Sequence, residues 1–390
     1  MLDTLPDTAA MFAQLRSVGE AADARQREIR GQRHLPDDLA ARLVDSTVFR
    51  TWVPAVYGGR GGSVQDLFDA IETVAWYDGA TAWIVMIGGT TALVSGFLPA
   101  EGARQIFGNP RTQAGGFANP LGRGRRVEGG LRVSGRWGWG SGTRHCNWIL
   151  GGVAVSEDGE GAATRSSGMH TPLCFFPREA VTLHDNWHTL GLEGTASVDY
   201  EVHQCLVPDT HWVAFPMQQP VVQEPLYRFS TVGALAAGVA WVGIGMARRA
   251  IDELIRLATV KVPAGGARPL AERAAIQSLL VECEAAWMSA RLVLKEQTAR
   301  CWEQAVREGE LAPEARRLLR VAAINAVERS TRVVDLCYGA AGGSSIHDTS
   351  PLQRMFRDMH VATQHGINGP LFTERLGKIA LGLSQDASLL

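Results

Sequence analysis

The chain has 390 residues, enough for two or three domains with a substantial core, and its 46% apolar and 20% charged content is that of a globular protein rather than a disordered one. A formal net charge of −2 excludes the broad basic field that would steer a protein to nucleic acid or to an anionic membrane. Six cysteines at 146, 174, 205, 283, 301 and 337, without CxxC spacing, argue against a zinc ribbon or a disulfide scaffold and fit a reducing compartment.

The N-terminal stretch "MLDTLPDTAAMFAQLRSVGE" lacks a basic segment followed by an apolar core, so a cytoplasmic protein is expected. From 7 to about 106 apolar residues recur at i, i+3, i+4 and i+7, as in "TAAMFAQLRSVGEAADARQREIRG" and "PDDLAARLVDSTVFR". Ser63 and Asp66 have the spacing of a helix N-terminal capping pair. Between about 111 and 215 the period changes. "LRVSGRWGWGSG", "NWILGGVAV", "TPLCFFP" and "SVDYEVHQCLVP" are short alternating or β-branched runs broken by Gly, Pro and Asn, which predicts a small antiparallel sheet or barrel. Helical periodicity then returns in long units at 227–262, 269–308, 312–341 and 351–384, the pattern of an up-and-down bundle. Within it "FSTVGALAAGVAWVGIGMA" (229–247) resembles a membrane span in composition only; it is expected to be a buried bundle helix. Domains are placed at 1–110, 111–215 and 216–390.

One stretch concentrates chemistry: "GRWGWGSGTRHCNW", 135–148. At period two, Trp137 and Trp139 are expected on the same face of a strand, either in a core or in a pocket wall. Ser141 sits between Gly140 and Gly142, where backbone can come close to a ligand. His145 follows four residues later and is equally open to ligand contact or to a backbone hydrogen bond. No P-loop and no strand–GxGxxG–helix fingerprint is present; "YGGRGG" (57–62) and "GRGRR" (122–126) fail both templates.

Several segments, in order, resemble the acyl-CoA dehydrogenase fold. "VPAVYGGRGGSVQDL" (53–67) is similar to its Pro-x-x-Tyr-Gly-Gly-x-Gly turn. "WHTLGLEGTASVDYEVHQCLVP" (187–208) is similar to its Gly-x-x-Gly-Thr-x-Ser-x-Asp strand, and "GAAGGSSIHDTSPLQRMFRDMHVATQHG" (339–366) to its Gly-Gly turn and Arg-Asp pair. The dehydrogenases' glutamate would fall at Gly366, beside His365, and "HVATQHGING" holds no carboxylate; Glu282 or Glu284 on an earlier helix would be the alternative. With "GRW-x-x-x-SG-x-x-H-x-x-W" at 135–148, the chain resembles the two-component flavin-dependent monooxygenase branch, which includes hydroxylases of 4-hydroxyphenylacetate and of secosteroid phenols and the nitrososynthases.

The resemblance implies an α+β, mainly α, fold: an N-terminal helical domain, a central antiparallel β-barrel domain and a C-terminal four-helix bundle. It implies reduced FAD or FMN and O2, reacting through a C4a-(hydro)peroxyflavin to hydroxylate a small phenol- or indole-like substrate in a dry site. A separate NAD(P)H-dependent flavin reductase is implied, as is a homotetramer, with no nucleic-acid or membrane partner. His365 is the expected base, with His360 second, because an imidazole titrates near working pH. Ser141 is expected as a small hydrogen-bond donor to the flavin. Trp139, Thr195, Ser197, Gly342, Gly343, Arg248 (or Arg249) and Arg357 are expected flavin contacts, and Phe117, Ala118, Asn119 and His145 substrate contacts. Other readings are N-oxidation of an amine, an acyl-CoA dehydrogenase with a displaced glutamate, and a helical partner protein that has lost its flavin.

Overall fold

The computed structural model describes residues 5, 7–156, 171–216, 219–384, 386 and 390. Local chemistry starts the N-terminal helices α1 (Thr8–Ala24), α2 (Gln26–Gln32), α3 (Asp37–Asp45), α4 (Val64–Tyr77), α5 (Gly79–Ala92) and α6 (Ala100–Phe107). Ser63 and Asp66 form the expected reciprocal capping box, with Ser63 N–H donating to Asp66 Oδ2 at 2.8 Å. Asp78 starts α5 by accepting from Thr81 N at 2.8 Å and from Thr81 Oγ1 at 2.6 Å. α5 is buried nearly all round because it lies between α4, the first helix of the C-terminal bundle and the first strand of the sheet. Its Gly88 and Gly89 leave room for Phe49 and Leu67, whose side-chain carbons would lie 2.5 and 2.4 Å from an added Cβ.

The strands are β1 (Ala114–Val127), β2 (Gly130–Gly140), β3 (Trp148–Ser156), β4 (Thr171–Pro177), β5 (Thr182–His184), β6 (Val198–Pro208) and β7 (Trp212–Phe215). They form one sheet in the order β5-β6-β2-β1-β3-β4-β7. The expected all-antiparallel barrel is corrected in one respect: β1 and β3 run parallel, so the sheet is mixed, with β5 and β7 at its edges. The cause is the 141–147 connection, which leaves β2 on one side of β1 and crosses to start β3 on the other side. The sheet nevertheless curls strongly. The Trp137 ring on β2 lies 5.4 Å from Phe176 on β4 and 5.3 Å from Tyr200 on β6, centroid to centroid, although those strands stand near opposite edges.

The C-terminal helices are α7 (Thr231–Val260), α8 (Ala274–Glu308), α9 (Pro313–Ala341), α10 (Pro351–Ala362) and α11 (Pro370–Ala380). The 229–247 stretch is interior, as expected: in the most apolar window of α7, 83% of residues are buried inside the fold. The unit expected as one helix over 351–384 is broken after Ala362. Gly366 and Gly369 loosen the backbone, and Pro370, which has no N–H to give, opens α11 instead. His365 therefore lies on an elbow rather than on a helix face. Helices from both ends of the chain share one core, in which Met11, Phe68, Trp83, Trp241 and Met359 belong to one cluster.

Candidate active site

The site is built where the sheet departs from regularity. Trp137 pairs with Tyr200 and Gly140 with Val198, so β2 spends three steps where β6 spends two. The extra residue makes a bulge, and Trp139 takes a left-handed φ of 56° within it. The expectation that Trp137 and Trp139 share a face is thereby overturned: Trp137 is 0% exposed in the core and Trp139 is 62% exposed. Trp148 packs on His211 at 5.4 Å. A second irregularity adjoins the first. On β1 the pairing with β3 passes from Phe117 to Pro120 while β3 advances one residue, so Ala118 and Asn119 are extruded. Phe117 N–H donates to Tyr200 Oη at 2.9 Å, and the Phe117 ring lies 5.4 Å from Trp139. Two bulges on neighbouring strands thus present one apolar aromatic platform.

Ser141 closes the β2 bulge, its N–H bonded to Trp139 O at 2.8 Å, while Gly142, at φ 72°, donates to Thr195 O at 2.8 Å. Trp83 Nε1 lies 3.2 Å from Ser141 Oγ, Ser141 Oγ 2.6 Å from Ser197 Oγ, and Ser197 Oγ 2.7 Å from Thr195 Oγ1. Thr195 Oγ1 donates to Leu192 O at 2.7 Å. An indole N–H can only donate and a carbonyl can only accept, and each hydroxyl has one proton. The direction of the whole line follows: Trp83 donates to Ser141, Ser141 to Ser197, Ser197 to Thr195, and Thr195 to Leu192. Ser141, expected as a donor to the flavin, spends its proton on Ser197 and offers a ligand a lone pair instead.

His365 lies next to Trp83, with ring centroids 5.6 Å apart. Its Nδ1 accepts from Ile367 N–H at 3.3 Å, which puts the proton of the neutral ring on Nε2. Burial lowers its pKa to about 4, so the ring is uncharged at neutral pH. Ser141, Ser197 and Thr195 are joined directly by hydrogen bonds, and Trp83, a residue that sequence reasoning missed, links them to His365. Trp83 stands in the apolar run "TAWIVM" without a motif, and nothing local distinguishes it from a core tryptophan.

Other expected residues are engaged elsewhere. His360 bonds Asp335 Oδ1 at 2.9 Å and packs on Phe356, on the α9 side of α10. His145 Nε2 lies 3.1 Å from Asp37 Oδ1, and its pKa is lowered, chiefly by burial. Arg248 is held by Asp252 and Glu284 and lies 5.1 Å over Trp287. Arg249 is held by Asp23 and Glu253. Arg357 donates to Leu190 O and to Glu193 at 2.6 Å each. Gly342, at φ 56°, and Gly343 end α9 near Lys261, which donates to Ala341 O at 2.6 Å. Glu282 pairs with Arg332 at 2.5 Å and Glu284 with Arg248, so both alternative glutamates are occupied by arginine.

The residues present suit a flavin. The uncovered Trp139 ring beside Phe117 matches a flat apolar ring system, and the ordered hydroxyls match its polar edge. Ile84 and Ile87 of α5 pack against the backbone beside Ser141, each with a methyl 3.4 Å from where a Cβ on Gly142 or Gly115 would stand.

Comparison with known proteins agrees. Residues 237–370 match the family model described as acyl-CoA dehydrogenase, C-terminal domain. The chain is 29% identical over 360 residues to an indole-3-acetate monooxygenase of Pseudomonas putida, covering 92% of this chain and 90% of that one. It is 25% identical to the flavin-dependent monooxygenase oxygenase subunit HsaA of Rhodococcus jostii, over 89% and 91% of the two chains. The structure of XiaF from Streptomyces sp. in complex with FADH2 and glycerol superposes with a TM-score of 0.87 at 22% identity, over 97% and 96% of the chains. The chain has the acyl-CoA dehydrogenase-like fold of that solved structure, and the curated relatives it resembles are flavin-dependent monooxygenases.

Proposed function

We propose that this chain is the oxygenase component of a two-component system that hydroxylates a small indole- or phenol-like substrate, with reduced FAD or FMN delivered by a separate NAD(P)H-dependent reductase. The observation that carries the reading is the directed hydrogen-bond line ending on Ser141, whose N–H bonds the Trp139 carbonyl and whose donor Trp83 packs on His365. Reduced flavin supplies the activation of O2 when bound. Unlike the oxidised form, it carries a proton on N5, and a Ser141 that accepts is matched to it.

His365 holds the substrate's oxygen, because with Nδ1 accepting from Ile367 N–H the neutral ring presents Nε2–H as a donor. Its low pKa has burial as its cause, so an anionic oxygen placed against the ring would restore basicity. In the resting geometry its Nε2–H donates to such an oxygen and holds the ring for attack. The α5 face, with Trp83, Ile84 and Ile87, keeps water out, which suppresses loss of the oxidising equivalent as peroxide. Phe117, Ala118, Asn119 and His145 are assigned to the substrate side; Thr195, Ser197, Gly342, Gly343, Arg248 and Arg357 remain proposed flavin contacts, those distant from Ser141 acting across a subunit boundary. A homotetramer is supported by an apolar stripe on α8, where Val281, Met288 and Leu292 are exposed at i, i+7 and i+11, on one helix face.

The test is a product screen. Enzyme, a generic flavin reductase, NADH and a panel of phenols, indoles and amines are incubated in air, and products and hydrogen peroxide are quantified by mass spectrometry and peroxidase assay. Hydroxylated aromatic product, with a product-to-peroxide ratio lowered about tenfold or more in His365→Ala, is expected. Return of all consumed O2 as peroxide with every aromatic would sink the reading, and an N-oxidised product would redirect it to amines.

A further inference from the structure

The hydroxyl line that ends on Ser141 is anchored in a loop of unfavourable shape. Leu192 and Ala196, neither of them glycine, take left-handed φ values of 52° and 43°. Such a loop persists only if its surroundings hold it. Leu192 is held at both of its backbone groups: its C=O accepts from Thr195 Oγ1, and its N–H donates to Asp358 Oδ1, each at 2.7 Å. Gly191 lies directly on α10, since a Cβ there would stand 2.4 Å from the carbonyl carbon of Arg357 and the Asp358 nitrogen lies 2.6 Å from the same point.

Asp358 is 2% exposed, and its second oxygen faces the start of α5, 3.4 Å from where a Cβ on Gly79 would be. Three elements therefore meet on one carboxyl group. The loop carries Thr195 and Ser197, α5 carries Trp83 one turn further on, and α10 leads into the elbow that carries His365. The protein keeps a carboxyl here against its surroundings. Burial, Asp78 at the start of α5 and Glu193 in the loop all disfavour its charge, against Leu192 N–H and Arg354 on its own helix. A place so unfriendly to a carboxylate is filled because the Leu192 N–H needs a fixed acceptor.

We infer that Asp358 is a positioning residue for the Ser141 site: by accepting the Leu192 N–H it holds the 192–197 loop in its strained shape, and so fixes the place and direction of the hydroxyls that reach Ser141. The consequence for turnover rests on the proposed flavin reading; the consequence for the loop does not.

Two variants separate geometry from charge. Asp358→Asn keeps an oxygen that can accept from Leu192, whereas Asp358→Ala removes it. Amide hydrogen exchange, read by mass spectrometry on flavin-free protein, is expected to speed up about tenfold or more across 192–197 in Asp358→Ala, while the interior of α7 changes little. Asp358→Asn should stay within about threefold of wild type across the same segment. With flavin, reductase and an accepted aromatic, the product-to-peroxide ratio should fall at least about fivefold in Asp358→Ala and return in Asp358→Asn. Unchanged exchange in Asp358→Ala, or equal acceleration in both variants, overturns the proposal. Should the alanine variant fail to fold, the wild-type protein decides: a Leu192 amide that exchanges as fast as an exposed one overturns it, and one slowed about a hundredfold upholds it. Because the exchange readout contains no flavin, failure of the loop argument and failure of the proposed activity are told apart.

Discussion

Trp83 and Leu192 stand at opposite ends of one line of hydrogen bonds, and neither can reverse its role, so the hydroxyls between them have a single allowed orientation. Thr195→Val removes the hydroxyl through which Leu192 O sets the direction, and lets the Ser141–Ser197 pair run either way. The ratio of affinities for reduced over oxidised flavin should then fall roughly three- to tenfold, the worth of about 1 kcal/mol for one hydrogen bond. Anaerobic and aerobic titrations measure both affinities, and an unchanged ratio would remove Thr195 from this role. Ser141→Ala should lower both affinity and product yield, since Ser197 loses its donor and the ligand its acceptor. His365 gives a pH prediction. Its pKa lies near 4 when folded and near 6.5 as a free side chain, so between those values the unfolded chain binds a proton that the folded one does not. Stability from the neutral ring is full above pH 6.5 and is lost as pH falls toward 4. Urea midpoints of wild type should drop more steeply over that window than those of His365→Gln; parallel slopes would contradict the shift. The residues of the site differed in legibility. Ser141, Thr195, Ser197 and His365 stand in spaced motifs, whereas Trp83 and the acceptor role of Asp358 depend on approach between elements far apart in the chain.

The β2 bulge separates two tryptophans that strict alternation would put on one face, and it gives them opposite energetics. Trp137→Ala empties a core site between Phe176 and Tyr200 and should cost about 3–5 kcal/mol, seen as a large fall in unfolding midpoint. Trp139→Gly removes an exposed ring from a left-handed backbone position, so stability should be unchanged or rise by up to about 1 kcal/mol while flavin affinity drops. A loss of stability as large as that of Trp137→Ala would refute the division. Helices were readable because period and capping agree, as at Ser63 and Asp66. The bulge was not, because one inserted residue leaves the local alternation intact and shows only in the pairing with β6. The parallel β1–β3 pair was hidden for the same reason: pairing is a long-range fact. The elbow at His365 was half visible, since "GINGP" carries turn residues inside a period that continues on both sides.

At the scale of the molecule, the α8 stripe makes assembly testable. Met288→Glu places a charge in the middle of Val281, Met288 and Leu292 and should shift the mass measured by light scattering toward smaller species. An unaltered mass would place the contact elsewhere. A different consequence follows from the site's composition. Trp83 comes from the N-terminal helices, Ser141 and Ser197 from the sheet, and His365 from the turn beyond α10, so no contiguous piece of the chain contains a rudimentary version of it. The crossing that delivers Ser141 exists only after β3 has paired with β1, and closing such long loops is slow relative to forming helices. During refolding, helical signal should therefore return well before flavin binding. A nascent chain would hold no oxygen-activating pocket until nearly all of it has been made.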